Sequence, residues 1–285
     1  MTGWPTRRGA AAGLVAAAVA ARARAQAPPR RVVSLNPCLD AILVRVADRG
    51  QIAALSRYSR DPDSSSIVTV AATLPFTYGS AEEVVALAPD LVLLDIFTPP
   101  ASLAALRRLG VRTAVFGGVD SLAESLAQVA RVAAAVGRPD RGKALIARIR
   151  AAVAAAAPPP GAPALTALVF QANGFVSAEG TLVDEMIRSA GFTNVAGRYG
   201  LKRSGPVSLE RLVADPPQVL LAGEPRPGAP AWADRILEHP ALRVVAPRMH
   251  RAVFPQRLLY CGGPVLVEMA ATLARARRDV LEARA

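Results

Sequence analysis

Ser80-Ala-Glu82-Glu-Val-Val85-Ala86-Leu-Ala-Pro89-Asp-Leu-Val-Leu-Leu94 is answered later in the chain by Ser208-Leu-Glu210-Arg-Leu-Val213-Ala214-Asp-Pro-Pro217-Gln-Val-Leu-Leu-Ala222. Serine, glutamate, Val-Ala and proline recur at one offset, 128 residues, the spacing from Glu82 to Glu210. Each copy reads as a serine-capped helix, a proline turn and a continuous apolar strand. A unit used twice at matching places argues for duplication of an α/β lobe.

Between the copies lies Pro139–Ala157, nineteen residues weakened only by Gly142 in the first turn and stopped by Pro158-Pro159-Pro160-Gly161. A proline suits the first position of a helix. At 1.5 Å per residue this one is about 28 Å long, enough to bridge two lobes.

Outward from these segments the alternation continues. Arg31–Leu35, Ile52–Leu55, Leu91–Leu94 and Val111–Phe116 are short apolar runs, with helical stretches at Leu39–Val46, Ala81–Leu87, Ala101–Leu109 and Ser121–Val136. After the prolines, strands are expected at Thr166–Phe170, Gln218–Leu221 and Arg251–Phe254. Helices are expected at Thr181–Ala190, Ser208–Ala214, Trp232–His239 and Pro264–Ala283. Unbroken apolar strands separated by helices argue for parallel sheet covered on both faces. The expected fold class is α/β, with two Rossmann-like lobes (26–137 and 161–285) joined by a single long backbone helix at 138–160.

Residues 1–25 read as a cleaved signal peptide. Arg7-Arg8 precede a mild apolar run from Gly9 to Ala21, and Ala23-Arg24-Ala25 supplies the small-residue cleavage site. The run is shorter than the ~20 apolar residues that span a bilayer. The arginine pair leaves both the general and the twin-arginine export routes open. The mature chain is expected in the periplasm.

Composition narrows the function. The net charge is +12, but the arginines are scattered and aromatics make up only 5%, so a nucleic-acid footprint is missing. Neither Cys38 nor Cys261 has a CxxC partner, and His239 and His250 match no HExxH spacing, so the four-ligand set of a structural zinc site is not expected. No phosphate-binding glycine loop, dinucleotide fingerprint or nucleophile elbow occurs. No catalytic residue, cofactor or protein-held metal is expected.

The ordered set of features resembles the class III periplasmic binding proteins, the cobalamin, ferric-siderophore and haem receptors of ABC importers. It consists of the two lobes, the linking helix, Glu82–Asp90 and Val207-Ser-x-Glu210. Val33-Ser-Leu-Asn36-Pro37 also fits, as do Gly180-Thr-Leu-Val-Asp184-Glu185 and Ala190-Gly-Phe-Thr-Asn194-Val195. The resemblance covers the chain from Arg31 to the closing helix. It implies capture of a metal chelate between the lobes by a monomer, without chemistry, and delivery to a permease and its ATPase. It departs at Phe76, near which the family's cobalamin receptors carry tryptophan.

Glu82 and Glu210 fall at the second position of helices capped by Ser80 and Ser208. A carboxylate is favoured there by the helix dipole, so capping is the bland explanation. In the first copy Glu83 stands where a capping box needs it, leaving Glu82 spare; in the second, Arg211 occupies that place and the glutamate still recurs. The resemblance implies that both carboxylates dock on permease arginines.

Ligand contacts are expected on loops at the carboxyl ends of strands. Those loops hold Asn36, Pro37, Cys38, Tyr58, Phe76, Tyr78, Phe97, Phe175, Arg203, Tyr260 and Cys261, with Ile96, Asn173, Tyr199 and Lys202 nearby. Exposed rings suit a flat tetrapyrrole or catecholate chelate, and the basic residues suit an anionic one. Cys38 and Cys261 leave three possibilities open: a bridge, two thiols, or sulfur contacts to a metal centre. A bridge across the lobes would pin the cleft. The rival functional class is a two-lobed tetrapyrrole metal chelatase, which would need a histidine in the cleft; His239 and His250 lie away from these loops.

Overall fold

The computed structural model describes residues 27–171, 174–223 and 239–284. The expected signal peptide, Asn173 and nearly all of the expected Trp232–His239 helix lie outside them.

The first sheet is parallel throughout. Strands β1 (Val32–Ser34), β2 (Ile52–Ser56), β3 (Phe76–Thr77), β4 (Leu91–Asp95) and β5 (Thr113–Phe116) lie in the order β3-β2-β1-β4-β5. The helices between them are α1 (Pro37–Val46), α2 (Val68–Ala71), α3 (Ala81–Ala86) and α4 (Pro100–Arg108). After β5 come α5 (Leu122–Ala135) and the linking helix α6 (Pro139–Ala156), separated by Gly137 at φ +71. This left-handed turn favours glycine after a helix end.

The second sheet contains β6 (Leu165–Phe170), β7 (Phe175–Val176), β8 (Phe192–Asn194), β9 (Gly205–Pro206), β10 (Val219–Ala222) and β11 (His250–Val253). Its order is β11-β10-β6-β7-β9, with β8 pairing the start of β6. The helices are α7 (Leu182–Ser189), α8 (Leu209–Ala214), α9 (Pro240–Val245) and α10 (Val265–Glu282). The two sheets repeat one plan. The first strand of each (β1, β6) lies centrally, and the strand after the repeated helix (β4, β10) joins its far side, followed by an outer strand (β5, β11). One departure from the expected parallel sheet is that β7 and β9 pair antiparallel, beginning at Phe170 opposite Val176.

Strand residues bury both faces, as continuous apolar runs should. Val33, Val92 and Leu94 pack under Val84 and Leu106 on one outer face, while Leu168, Phe170 and Leu220 do the same with Leu212 and Val245 in the second lobe. The inner faces share one core. It runs from Val32 and Leu93 through Leu145 and Ile149 of α6 to Val169 and Leu221, with α1, α5, α7 and α10 contributing. The linking helix was expected to carry the junction; in the structure it is one member of an interlobe helical layer. Its start is tied to the first lobe by Asp48, which pairs with Arg138 and, at 2.6 Å, with Arg141. A layer of packed helices resists hinge bending, so ligand is expected to cause little closure. Scattering profiles that show a large compaction on binding would contradict this.

One buried group sits awkwardly. The Asp40 carboxyl in α1 is fully buried; one oxygen accepts from the Ser56 amide at 3.1 Å and from its hydroxyl, and the other has no partner. Burial pushes its pKa from the ordinary 3.8 up to about 8, against the hydrogen bonds from Ser56. The folded chain thus keeps a proton that the unfolded chain loses between these values. Unfolding free energy should fall as pH rises through that window and level off above about 8. Asp40→Asn should flatten that part of the pH profile in chemical denaturation. An unchanged profile would show that Asp40 does not titrate this way.

Candidate ligand site and docking residues

The candidate site residues lie on segments that follow the carboxyl ends of strands in the two sheets, and the Cys38–Cys261 bond joins these segments. Asn36 caps α1, accepting from the amides of Cys38 (2.8 Å) and Leu39 (3.2 Å), and its side-chain amide donates to Asp95 at the end of β4. Pro37 occupies the first helical position, where its missing N–H costs nothing. Asp95 also accepts from the Phe97 amide and the Thr98 hydroxyl, so it shapes the loop presenting Ile96 and Phe97. Phe97 is 79% exposed.

The floor is closed by three links between lobes. Cys38 and Cys261 form a disulfide with Cα atoms 5.1 Å apart. The Gly263 amide donates to Ser125 of α5 at 2.7 Å, and the Leu122 amide donates to Glu185 of α7 at 2.7 Å. Gly263 has φ +74, and a Cβ there would stand 3.0 Å from Ile42, so the approach needs glycine. The expected alternatives for the cysteines therefore resolve to the bridge, and neither offers a thiol to a metal. Cys38 lies in the first turn of α1 rather than in a loop.

Beyond the floor stands a cluster of rings and guanidinium groups on the first lobe. The turn Arg57–Arg60 follows β2 and hangs from Ser56, which Asp40 holds. Arg57 lies over the rings of Tyr58 (4.6 Å) and Tyr78 (5.8 Å) and donates to the Tyr58 hydroxyl at 2.8 Å. Arg60 covers Phe76 at 4.1 Å while donating to the Leu74 carbonyl. Phe76 and Tyr78, two apart along an extended chain, share a face and meet edge-on at 5.5 Å. All three rings remain exposed, Tyr78 to 67%. Sequence reasoning selected the rings and missed Arg57 and Arg60. The available signal was their spacing around Tyr58 directly after a strand.

On the second lobe Phe175 in β7 is exposed opposite Pro206, Lys202 and Arg203 are exposed just before β9, and Tyr260 is exposed beside the disulfide. Tyr199 does not join them. It is buried, its hydroxyl donates to the Asp215 carbonyl at 2.6 Å, and burial with the Asp215 charge raises its pKa to about 12. Much of the Gly180–Val195 stretch is likewise turned inward, with Gly180, Arg188 and Thr193 left exposed. Asp184 is buried and accepts from the Gly180 amide and from Asn194, which also bonds Ser177.

Glu82 and Glu210 occupy equivalent places, each exposed in the first turn of the helix that leaves an edge strand, β3 or β9. Ser80 and Ser208 cap these helices by accepting from the amides of Glu83 and Arg211. The expected capping box is not closed. Glu83 reaches instead to the Thr77 hydroxyl (2.6 Å) and the Tyr78 amide (2.8 Å), bonds that hold its pKa below the usual range. It braces the aromatic rim, and Glu82 is left without a hydrogen bond or ion pair among the described residues. Glu210 is lowered in pKa by its own amide and the Ser208 hydroxyl.

A curated cobalamin-binding protein of Halobacterium salinarum is 27% identical over 223 residues, 77% of this chain; the chain spans 58% of that relative's length. A periplasmic heme-binding protein from Pseudomonas aeruginosa superposes with TM-score 0.66 at 25% identity, over 87% of this chain and 92% of its own. The heme-binding RhuT from Roseiflexus sp. RS-1 gives 0.64 at 27%, over 87% and 98%. The family described as "Periplasmic binding protein" matches residues 32–250. By that match the chain belongs to the periplasmic binding protein family, and its two-lobed architecture is that of class III.

Proposed function

We propose that this chain is the exported, periplasmic receptor of an ABC importer, and that it carries haem or a closely similar anionic metal tetrapyrrole between its lobes. The observation that supports this most is the exposed cluster of Tyr58, Phe76 and Tyr78 interleaved with Arg57 and Arg60. Rings offer flat apolar area to a planar macrocycle, and a guanidinium pairs with carboxylates at its edge. The corrin edge of cobalamin bears neutral amides and its one anion, a phosphodiester, lies in the nucleotide loop, so it offers those guanidiniums less charge than the two carboxylates at the edge of haem. The P. aeruginosa and Roseiflexus proteins are described as heme-binding, which agrees with the ring-and-arginine chemistry. Phe97, Phe175, Arg203 and Tyr260 complete the walls, while Asn36, Pro37 and the disulfide form the floor. Glu82 and Glu210 are the permease contacts, one per lobe.

Titration of mature protein with haem, cyanocobalamin and ferric catecholate and hydroxamate chelates tests the reading. Haem is expected to bind at one site and most tightly. A preference for cobalamin or a siderophore would replace the ligand, and binding to none would remove the ligand class. Arg57→Ala should weaken haem binding about tenfold or more, because a hydrogen bond to a charged group contributes about 1.5–3 kcal/mol. Arg57→Lys should recover only part of it, since an ammonium cannot form the planar fork or lie flat on two rings.

A further inference from the structure

We propose that the Cys38–Cys261 bond is a redox-cleavable latch that fixes the width of the gap between the lobes, slowing ligand escape while it is oxidised. The proposal rests on the gap being the ligand site; its mechanical part rests on the floor geometry alone.

The bond sits where a latch would need to be. It joins the first turn of α1, at the carboxyl end of central strand β1, to the residue after exposed Tyr260 in the other lobe. The two neighbouring floor links, Gly263 to Ser125 and Leu122 to Glu185, are single hydrogen bonds. These can break and re-form as the lobes rock, whereas the disulfide cannot. Gly263 lies two residues beyond Cys261, so loosening the bond also frees the backbone that makes the Ser125 link.

The same geometry favours cleavage. Cys38 is partly exposed and Cys261 nearly buried, so a reductant meets the Cys38 sulfur first. Attack there by a dithiol expels the Cys261 thiolate and leaves Cys38 in the mixed disulfide; the dithiol's second sulfur then expels the Cys38 thiolate, at the second position of a ten-residue helix. The helix terminus stabilises negative charge there, which favours the reduced form. Cleavage by a dithiol attacks one sulfur, passes through a mixed disulfide and gives two cysteine thiols. The dithiol supplies two electrons and two protons and leaves as its cyclic disulfide.

The test compares oxidised mature protein, the same protein reduced and alkylated while folded, and Cys38→Ser/Cys261→Ser. Haem is the probe. Its dissociation into a haem scavenger should quicken about tenfold or more without the bond, a factor equivalent to ~1.4 kcal/mol. Hydrogen exchange at the Gly263 amide should quicken in parallel, in the absence of ligand. Unchanged haem dissociation with unchanged exchange would overturn the latch, as would faster exchange with haem release altered less than twofold. If the double variant does not fold, the reduced and alkylated protein carries the comparison. If haem binds neither form, the ligand reading fails and the exchange arm decides the latch.

Discussion

Replacing Glu82 and Glu210 together by alanine is expected to remove most transport while leaving ligand affinity within about twofold of the parent. Both carboxylates are exposed and lie on helices leaving the outermost strand of each sheet, and neither belongs to the aromatic-arginine contacts of the candidate site. Losing one should cost little stability, since only the end of a short, solvent-exposed helix acts on it. A permease arginine left without its partner costs more, about 2–5 kcal/mol if the pair is desolvated. Each single change should therefore lower receptor-stimulated ATPase activity or uptake roughly tenfold or more, and the double change further, because in the proposed docking each lobe makes its own contact. Glu83→Ala is not a clean control. Its carboxylate holds Thr77 and the Tyr78 amide, so it should disturb ligand binding as well as stability. Glu282→Ala, exposed at the far end of α10, is the better one. Loss of ligand binding in Glu82→Ala, or a double variant that transports normally, would end the docking assignment.

The fold was legible because its signals are long or repeated. The helix expected over Pro139–Ala157 forms over Pro139–Ala156, and the duplicated Ser-x-Glu segments become α3 and α8 with the strands that follow. The two-residue strands β3, β7 and β9 were not legible, since alternation needs several residues to register. The shared core escaped for a different reason. In α6 a large part of the sequence is alanine and only Gly142, Leu145, Ile149 and Ala156 are buried, so it reads as a strut. Its role in a helical layer is set by neighbours distant in sequence. The rings of the candidate site were visible because aromatics are scarce; Arg57 and Arg60 were hidden among 34 basic residues. Tyr199 looked equivalent to the exposed tyrosines until its hydroxyl proved to be satisfied by Asp215.

The cysteine pair was the feature least readable from sequence, and removing it should have the largest effect on stability. Cys38 and Cys261 are 223 positions apart, so only the packing of the lobes brings them together. A cross-link over so long a loop withdraws much of the unfolded chain's freedom. The chain-entropy relation puts this at about 5 kcal/mol, the upper end of what disulfides contribute. Native strain and residual structure usually reduce the yield, so Cys38→Ser/Cys261→Ser is expected to lose about 3–5 kcal/mol. For a chain of this size that corresponds to a fall in Tm of roughly 10 °C. The parent protein in reductant should melt with the variant, and the variant should be indifferent to reductant. The shared core should keep the variant folded at room temperature, since Ile42, Val129 and Leu266 pack across the junction without the bond. A difference below about 1 kcal/mol would mean that the two sulfurs are not bonded in solution or that the unfolded chain is already compact. Thiol titration of the unfolded parent separates those outcomes: two titrating thiols would remove the bond itself, and none would leave it in place.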